Sequence, residues 1–225
     1  MPEVTAIKPQ KKPGRYNIFI DERFAFGLDE EDLYKSKLKT GQILTKEDIP
    51  RLKKVNEEGK FLENILHYLE FRPRSEREIR GHLKERFYKK KKVNSGEEAA
   101  LIIENILERL RKLNLLDDRA FAVWWLQQRQ NNSKPLGRQL IRLELVRKGV
   151  SREIIDDVLK ASETNEVDLA FKSAKKKLSS YRKLPKLDFK LKMTRYLLSH
   201  GYSGDVTRET IKRLLSDFPT QPTDF

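Results

Sequence analysis

The chain has 225 residues, with 48 Lys and Arg against 34 Asp and Glu, and a formal net charge of +14. It contains no cysteine, which excludes disulfide frameworks, thiolate zinc sites and cysteine nucleophiles. No stretch approaches the ~18 apolar residues of a membrane span, and the basic residues within 1–15 precede no signal-peptide core.

What remains is a cytoplasmic, non-redox protein whose charge favours an anionic partner, nucleic acid before membrane. Charged residues make up 36% and hydrophobic residues 37%. Such a balance suits a thin, largely helical molecule with many small cores and much surface.

From the N-terminus, Tyr16, Ile18 and Ile20 alternate with Asn17 and Phe19, and Phe24, Phe26 and Leu28 with Ala25 and Gly27. This period of two predicts a β-hairpin turning at Asp21-Glu22. No glycine supplies positive φ cheaply there, which leaves a longer or bulged turn open. Asp29-Glu30-Glu31 opens a short helix to about Lys37, its acids suited to the positive end of the helix dipole. Thr45-Lys46-Glu47-Asp48 starts a second helix, and residues 1–57 read as a small α/β module.

Everything beyond reads as helix, and it repeats. Phe61, Phe121 and Phe171 each open an apolar-periodic helix. About twenty residues later each is followed by an i, i+4 pair: Ile79 with Leu83, Ile141 with Leu145, Met193 with Leu197. Lys148-Gly149-Val150 and His200-Gly201-Tyr202 place a glycine and then an apolar residue at helix ends, the pattern of a left-handed C-cap. A third apolar-periodic helix follows in every unit. The predicted fold is mainly α: three tandem three-helix repeats, 59–116, 117–162 and 165–217, form an elongated curved array between the N-terminal α/β module and a tail at 218–225. Lys89 to Lys92 with Asn94-Ser95-Gly96 insert a solvated loop into the first repeat.

No catalytic constellation is evident. His67, His82 and His200 lack metal-ligand spacing, no metal or cofactor is expected, and there is no Gly-rich phosphate loop. His67 reads as a surface residue, and His200 as a donor to the last turn of its helix. Asp117 and Asp118 would serve a metal-dependent nuclease, but Asp118 stands where its helix needs an N-cap. One of Trp124 and Trp125 is expected to pack with Phe121 rather than stack on bases.

Binding is better supported, because the positive charge is concentrated. Lys172 to Lys192 holds nine cations (Lys172, Lys175, Lys176, Lys177, Arg182, Lys183, Lys186, Lys190 and Lys192) and one acid, Asp188. A second group has Arg129, Lys134, Arg138, Arg142, Arg147 and Lys148, and a third Arg72, Arg74, Arg77 and Arg80. All three groups fall around the second helix of a repeat, so stacked repeats would align them into a basic stripe. Ser75 with Glu78 forms a capping box, and Pro135-Leu136-Gly137-Arg138 starts the equivalent helix. Both helix starts are candidate anion sites.

The runs Pro73-Arg74-Ser75-Glu76-x-Glu78-Ile79-x3-Leu83, Leu113-x-Leu115-Leu116-Asp117-Asp118-x2-Phe121-Ala122 and Gly137-Arg138-x2-Ile141-x2-Glu144-Leu145-x2-Lys148-Gly149-Val150 resemble the RecX family of bacterial recombination regulators. The hairpin resembles the N-terminal extension of longer members. The third repeat matches weakly, through Phe171, Met193, Leu197 and Gly201.

The resemblance implies a non-enzymatic modulator, expected as a monomer. Its partners would be the RecA filament, single-stranded DNA and, secondarily, duplex DNA. It would bind along the groove of the RecA–single-stranded-DNA filament and oppose filament growth, ATP hydrolysis, strand exchange and coprotease activity. The residues expected to dock are Arg129, Lys134, Arg138, Arg142, Arg147 and Lys148, with Lys175, Lys176, Lys177, Arg182, Lys183 and Lys186, followed by Arg72, Arg74 and Arg77. The alternative is a general, sequence-nonspecific nucleic-acid-binding protein.

Overall fold

Alternation in the first thirty residues builds a three-stranded antiparallel sheet, β1 (Val4–Pro9), β2 (Arg15–Ile20) and β3 (Arg23–Asp29), in the order β1-β2-β3. The computed structural model describes residues 1–11, 13–90, 96–181 and 183–216. Residues 91 and 92 of the lysine run, 94 and 95 beside it, Arg182 and the tail at 218–225 therefore lie outside the described residues.

The β2–β3 hairpin forms as expected, but its turn is tight. Ile20 pairs with Arg23, and Asp21 and Glu22 both take positive φ, 48° and 63°, as the favoured two-residue hairpin turn requires. The strand that sequence periodicity missed, with Glu3 just before it, holds this turn in place. Asp21 Oδ1 accepts from Glu3 N at 3.0 Å, Glu22 N donates to Thr5 Oγ1 at 2.9 Å, and Asp21 N donates to Glu3 O at 3.0 Å. β1 escapes a period-two search because its register slips between Val4 and Ala6, which breaks the alternation.

Helix α1 (Glu30–Ser36) is capped by Asp29, whose side chain accepts from Asp32 N. α2 (Asp48–Glu70) carries its only proline, Pro50, in the first turn, where the missing N–H costs nothing. It then runs unbroken through the expected module boundary near residue 57. Phe61 accordingly lies buried in mid-helix and does not open one, and its ring packs 4.0 Å from that of Phe87. α3 (Glu76–Lys90) and α4 (Gly96–Lys112) follow. The second and third repeats are α5 (Asp118–Gln130), α6 (Arg138–Arg147), α7 (Arg152–Ala161), and α8 (Glu166–Tyr181), α9 (Lys186–Ser199), α10 (Gly204–Ser216).

The chain divides into two compact units, Met1–Arg72 with Ile79–Leu113, and Pro73–Glu78 with Asn114–Phe225. In the first unit, Val4, Ile18, Phe26, Leu28, Leu44 and Leu52 bury the inner face of the sheet against α2. Arg109 of α4 reaches Asp29 (3.5 Å), Glu31 (2.5 Å) and Asp32 (3.4 Å) around α1. Burial first, and then the neighbouring Asp29, push the Asp32 carboxyl up to about 6.

In the second unit each repeat has its own core. One gathers Phe121, Ile141, Leu145, Val150, Ile155 and Val158, the other Phe189, Met193, Leu197, Tyr202, Ile211 and Leu214. Gly149 and Gly201 end α6 and α9 at φ 85° and 84°. Val150 N returns to Leu145 O and Tyr202 N to Leu197 O, each at 3.2 Å. These are left-handed caps with buried apolar followers, as the sequence predicts.

The glycine caps also receive a neighbour. The start of α6 sits on the end of α9: Gly137 N donates to His200 O at 2.8 Å, Gln139 N to Gly201 O at 3.1 Å, and Tyr202 Oη to Pro135 O at 2.8 Å. A Cβ on Gly201 would fall on the Leu140 backbone, and one on Gly137 on the Gly201 carbonyl. The start of α3 meets the end of α6 in the same way. Ser75 Oγ donates to Lys148 O at 2.7 Å, and the Arg77 stem lies where a Gly149 Cβ would be, 2.6 Å from Arg77 Cβ.

Two predictions follow from this packing. Gly201→Ala, strained in φ and clashing with backbone, is expected to lower unfolding free energy by at least about 2 kcal/mol. Gly204→Ala, whose Cβ meets nothing, should be neutral within about 0.5 kcal/mol; urea denaturation of both compares them. The native Asp32 carboxyl titrates near 6, against 3.8 ordinarily, so below about pH 6 the folded state holds a proton that the unfolded state releases. Stability from this residue therefore rises as pH falls from 7 towards 4. Asp32→Asn should remove that component of the pH slope, as denaturation midpoints at pH 7 and 5 will read.

Candidate anion-binding surface

A cation held by an internal carboxylate contributes little to an external anion, so each candidate is defined first by its partners within the chain. In the second repeat most are held. Arg129 Nε donates to Glu144 Oε2 at 2.8 Å, and Lys148 Nζ to Glu78 Oε1 at 2.8 Å. Arg142 pairs with Asp156 on α7. Arg138 donates to the carbonyls of Ser162 (3.0 Å) and Thr164 (3.3 Å), closing the loop between the second and third repeats. Arg72 and Arg74 are half-buried before α3, and neither is free. Lys134, Arg147 and Arg77 are exposed and make no ion pair among the described residues.

The third repeat is different. Lys175, Lys176, Lys183 and Lys186 are exposed without an ion pair among the described residues, as are Lys172, Lys190, Lys192 and Arg195. Lys175 lies over the Phe171 ring at 4.8 Å and the half-buried Lys177 near Tyr196 at 5.8 Å, contacts that steady the ammonium groups without neutralising them. Asp168 is already taken by Arg213 at 2.5 Å. The second repeat thus commits most of its candidate cations to partners within the chain, while the third leaves the lysines of α8 and α9 to solvent.

α9 carries a feature that charge reading passed over. Leu187, Leu191 and Leu198 are 70%, 50% and 46% exposed. Their i, i+4, i+11 spacing puts all three on one helix face, opposite the buried Phe189, Met193 and Leu197. Lys190 and Arg195 belong to the same helix. The i, i+4 spacing of Leu187 and Leu191 is present in the sequence, interleaved with Lys186, Lys190 and Lys192.

Both helix starts expected to receive an anion are filled from within. Arg138 N, opening α6, donates to Glu166 Oε1 at 2.9 Å, and Glu76 N, opening α3, donates to Asp118 Oδ1 at 2.9 Å. The capping role expected of Asp118 belongs to Asp117, which accepts from Arg119 N and Ala120 N. Asp118 is the first residue inside α5 and Glu166 the first inside α8, so the two acids do the same work in successive repeats. The Ser75–Glu78 capping box forms reciprocally, both bonds at 3.2 Å.

Trp124 and Trp125 both pack on the second core beside Phe121. Trp125 Nε1 donates to Glu144 at 2.8 Å, and its ring lies 4.3 Å from the Arg129 guanidinium and 4.2 Å from the Lys148 ammonium. His67 is exposed beside Glu70, and His200 bonds Tyr196 O at 2.7 Å. Among the described residues no three His, Asp or Glu side chains come together as metal ligands, and no helix is long and apolar enough to cross a membrane.

Comparison with known proteins covers most of the chain. Residues 2–45 match the regulatory protein RecX N-terminal domain, 117–159 the RecX second three-helix domain, and 164–211 the RecX third three-helix domain. The regulatory protein RecX of Listeria welshimeri is 34% identical over 208 residues, 92% of this chain and 73% of that protein. The regulatory protein RecX of Clostridium perfringens strain 13 is 32% identical over 224 residues, 96% and 98%. A crystal structure of regulatory protein RecX superposes with a TM-score of 0.75 at 32% identity, covering 95% of this chain and all of the other.

The division between held and free cations has a stability signature. Arg138→Ala leaves two backbone carbonyls without their donor and should cost about 1–3 kcal/mol. Lys186→Ala and Lys190→Ala should stay within about 0.5 kcal/mol. Thermal unfolding of the three variants compares them.

Proposed function

The chain belongs to the RecX family of regulatory proteins, and from this we propose that it regulates the RecA recombinase by docking on the RecA–single-stranded-DNA filament. In this reading it opposes filament growth and, with it, ATP hydrolysis, strand exchange and coprotease activity. The docking cations are those without an internal ion pair: Lys175, Lys176, Lys183 and Lys186 with Lys172, Lys190, Lys192 and Arg195, and also Arg77, Lys134 and Arg147. Lys177 accompanies them. Arg129, Arg138, Arg142 and Lys148 shape the second repeat and act on the partner indirectly.

One observation carries the reading. α9 presents exposed leucines together with unpaired lysines. Lysines alone would suit any polyanion, because each phosphate neutralised releases counterions and adds about 0.7 to the salt slope on single strands. Leucines gain nothing from a phosphate backbone. A partner that presents apolar protein surface beside negative charge satisfies both, and a nucleoprotein filament is such a partner. Exposed apolar residues repeated along one face of an otherwise charged helix suit protein contact.

The runner-up, a general nucleic-acid-binding protein, rests on the lysines and leaves the leucines unused. The two readings part in a paired assay. Suppression of RecA ATPase is expected at concentrations well below those that retain bare single-stranded DNA, whereas equal potency would overturn the filament reading. The Leu187→Ser, Leu191→Ser double variant should lose at least fivefold in ATPase suppression and keep its retention of bare DNA. Unchanged suppression would remove α9 from the contact.

A further inference from the structure

Within the second unit lies an open cleft of about 480 Å³, lined by Arg77, Glu78, Trp125, Arg129, Glu144, Arg147 and Lys148. Four cations face two carboxylates, and both carboxylates are engaged. Glu144 accepts from Arg129 and Trp125, and Glu78 from Lys148 and its own capping partner Ser75. The two positive charges in excess belong to Arg77 and Arg147, which are exposed and make no ion pair among the described residues. Arg77 is held from behind, because its stem packs against the backbone of Gly149, a position that φ 85° and the 2.5 Å approach of Arg77 Cδ both close to any Cβ.

We propose that this cleft binds a phosphate group of single-stranded nucleic acid through Arg77 and Arg147, independently of the base attached. A guanidinium suits phosphate because its planar fork matches two oxygens at once and stays charged at any working pH. Trp125 supplies a wall and no stacking platform. Its N–H is already donated and its ring already lies against two cations, so little is left to read a base. The cleft therefore differs from the aromatic platforms that grip bases in many single-strand-binding proteins. This deepens the nucleic-acid half of the function proposed above and rests on it.

The full-length Trp124→Phe protein leaves Trp125 as its only tryptophan, a reporter inside the cleft. Twelve-residue oligothymidylate and oligodeoxyadenylate, ATP and polyglutamate are the probes, with anisotropy of labelled oligonucleotide as a second readout that needs no tryptophan. Saturable change in Trp125 emission with both oligonucleotides, at equal affinity, is expected. Arg77→Gln with Arg147→Gln should weaken binding at least tenfold and lower the salt slope by about 0.7, the share of one phosphate. ATP binding as tightly as the oligonucleotides would overturn the assignment to a strand and make the cleft a nucleotide phosphate site. Equal competition by polyglutamate, or a strong preference for one base, would also overturn it. Unchanged oligonucleotide affinity in the double arginine variant would sink the cleft and leave the filament reading standing. Loss of all oligonucleotide binding together with loss of RecA ATPase suppression in the unsubstituted protein would sink the reading beneath it.

Discussion

Two helix ends that stop on glycine govern how the second unit is built. Gly149 and Gly201 take a left-handed conformation that stops α6 and α9, and lacking a Cβ they also let the start of another helix lie directly on the stop. One small residue thus ends an element and admits its neighbour. The cost is conformational freedom in the unfolded chain, of the order of 0.5–1 kcal/mol for each glycine. What offsets it is a set of bonds made twice over: a backbone or hydroxyl donor to the last carbonyls of the helix, and an acid, Asp118 or Glu166, on the first N–H of the incoming helix. Glycine ends, acidic starts and small residues at the incoming positions Ser75 and Gly137 are one device repeated.

Charge is divided along the same lines. A basic protein built from stacked helices must keep its cations from repelling one another where the helices meet. Here the second repeat spends Arg129 and Arg142 on acids of its own, Lys148 on Glu78 of α3, and Arg138 on the carbonyls of Ser162 and Thr164. Several of these pairs are partly exposed and individually contribute at most about 1 kcal/mol, so their effect is more on geometry than on stability. They fix side chains that would otherwise sample many rotamers, among them the walls of the cleft around Trp125. The third repeat has more cations for as many acids; Asp205 and Asp168 go to Arg208 and Arg213 of α10, and Asp188 makes no ion pair among the described residues, so the lysines of α8 and α9 stay available. A concentration of like charge in water is tolerable because salt screens it within about 8–10 Å.

Local signals in the sequence were readable and distant ones were not. The Ser75–Glu78 box, the glycine stops and the apolar pairs Ile141–Leu145 and Met193–Leu197 each depend on residues within a few positions, and each forms. β1 was missed because a bulge breaks the alternation that marks a strand. No helix break accompanies the expected boundary near residue 57: Gly59 sits within α2, where a Cβ would stand 3.6 Å from the carboxylates of Asp29 and Asp32. The fate of each cation was hidden for a different reason. Lys148 meets Glu78 from seventy positions away and Arg142 meets Asp156 from fourteen, so a count of lysines and arginines cannot tell a strut from a docking group.

The account depends on that distinction, and equal-charge variants measure it. Lys186→Gln with Lys190→Gln removes two free cations, and Arg119→Gln with Arg142→Gln removes two that are paired with Asp157 and Asp156. Net charge falls by the same amount in both. Binding to single-stranded DNA, followed over a range of salt concentrations, should lose about 1.4 from its logarithmic slope in the lysine variant and almost nothing in the arginine variant. Equal losses would mean that only total charge matters and would contradict the division of labour between the repeats.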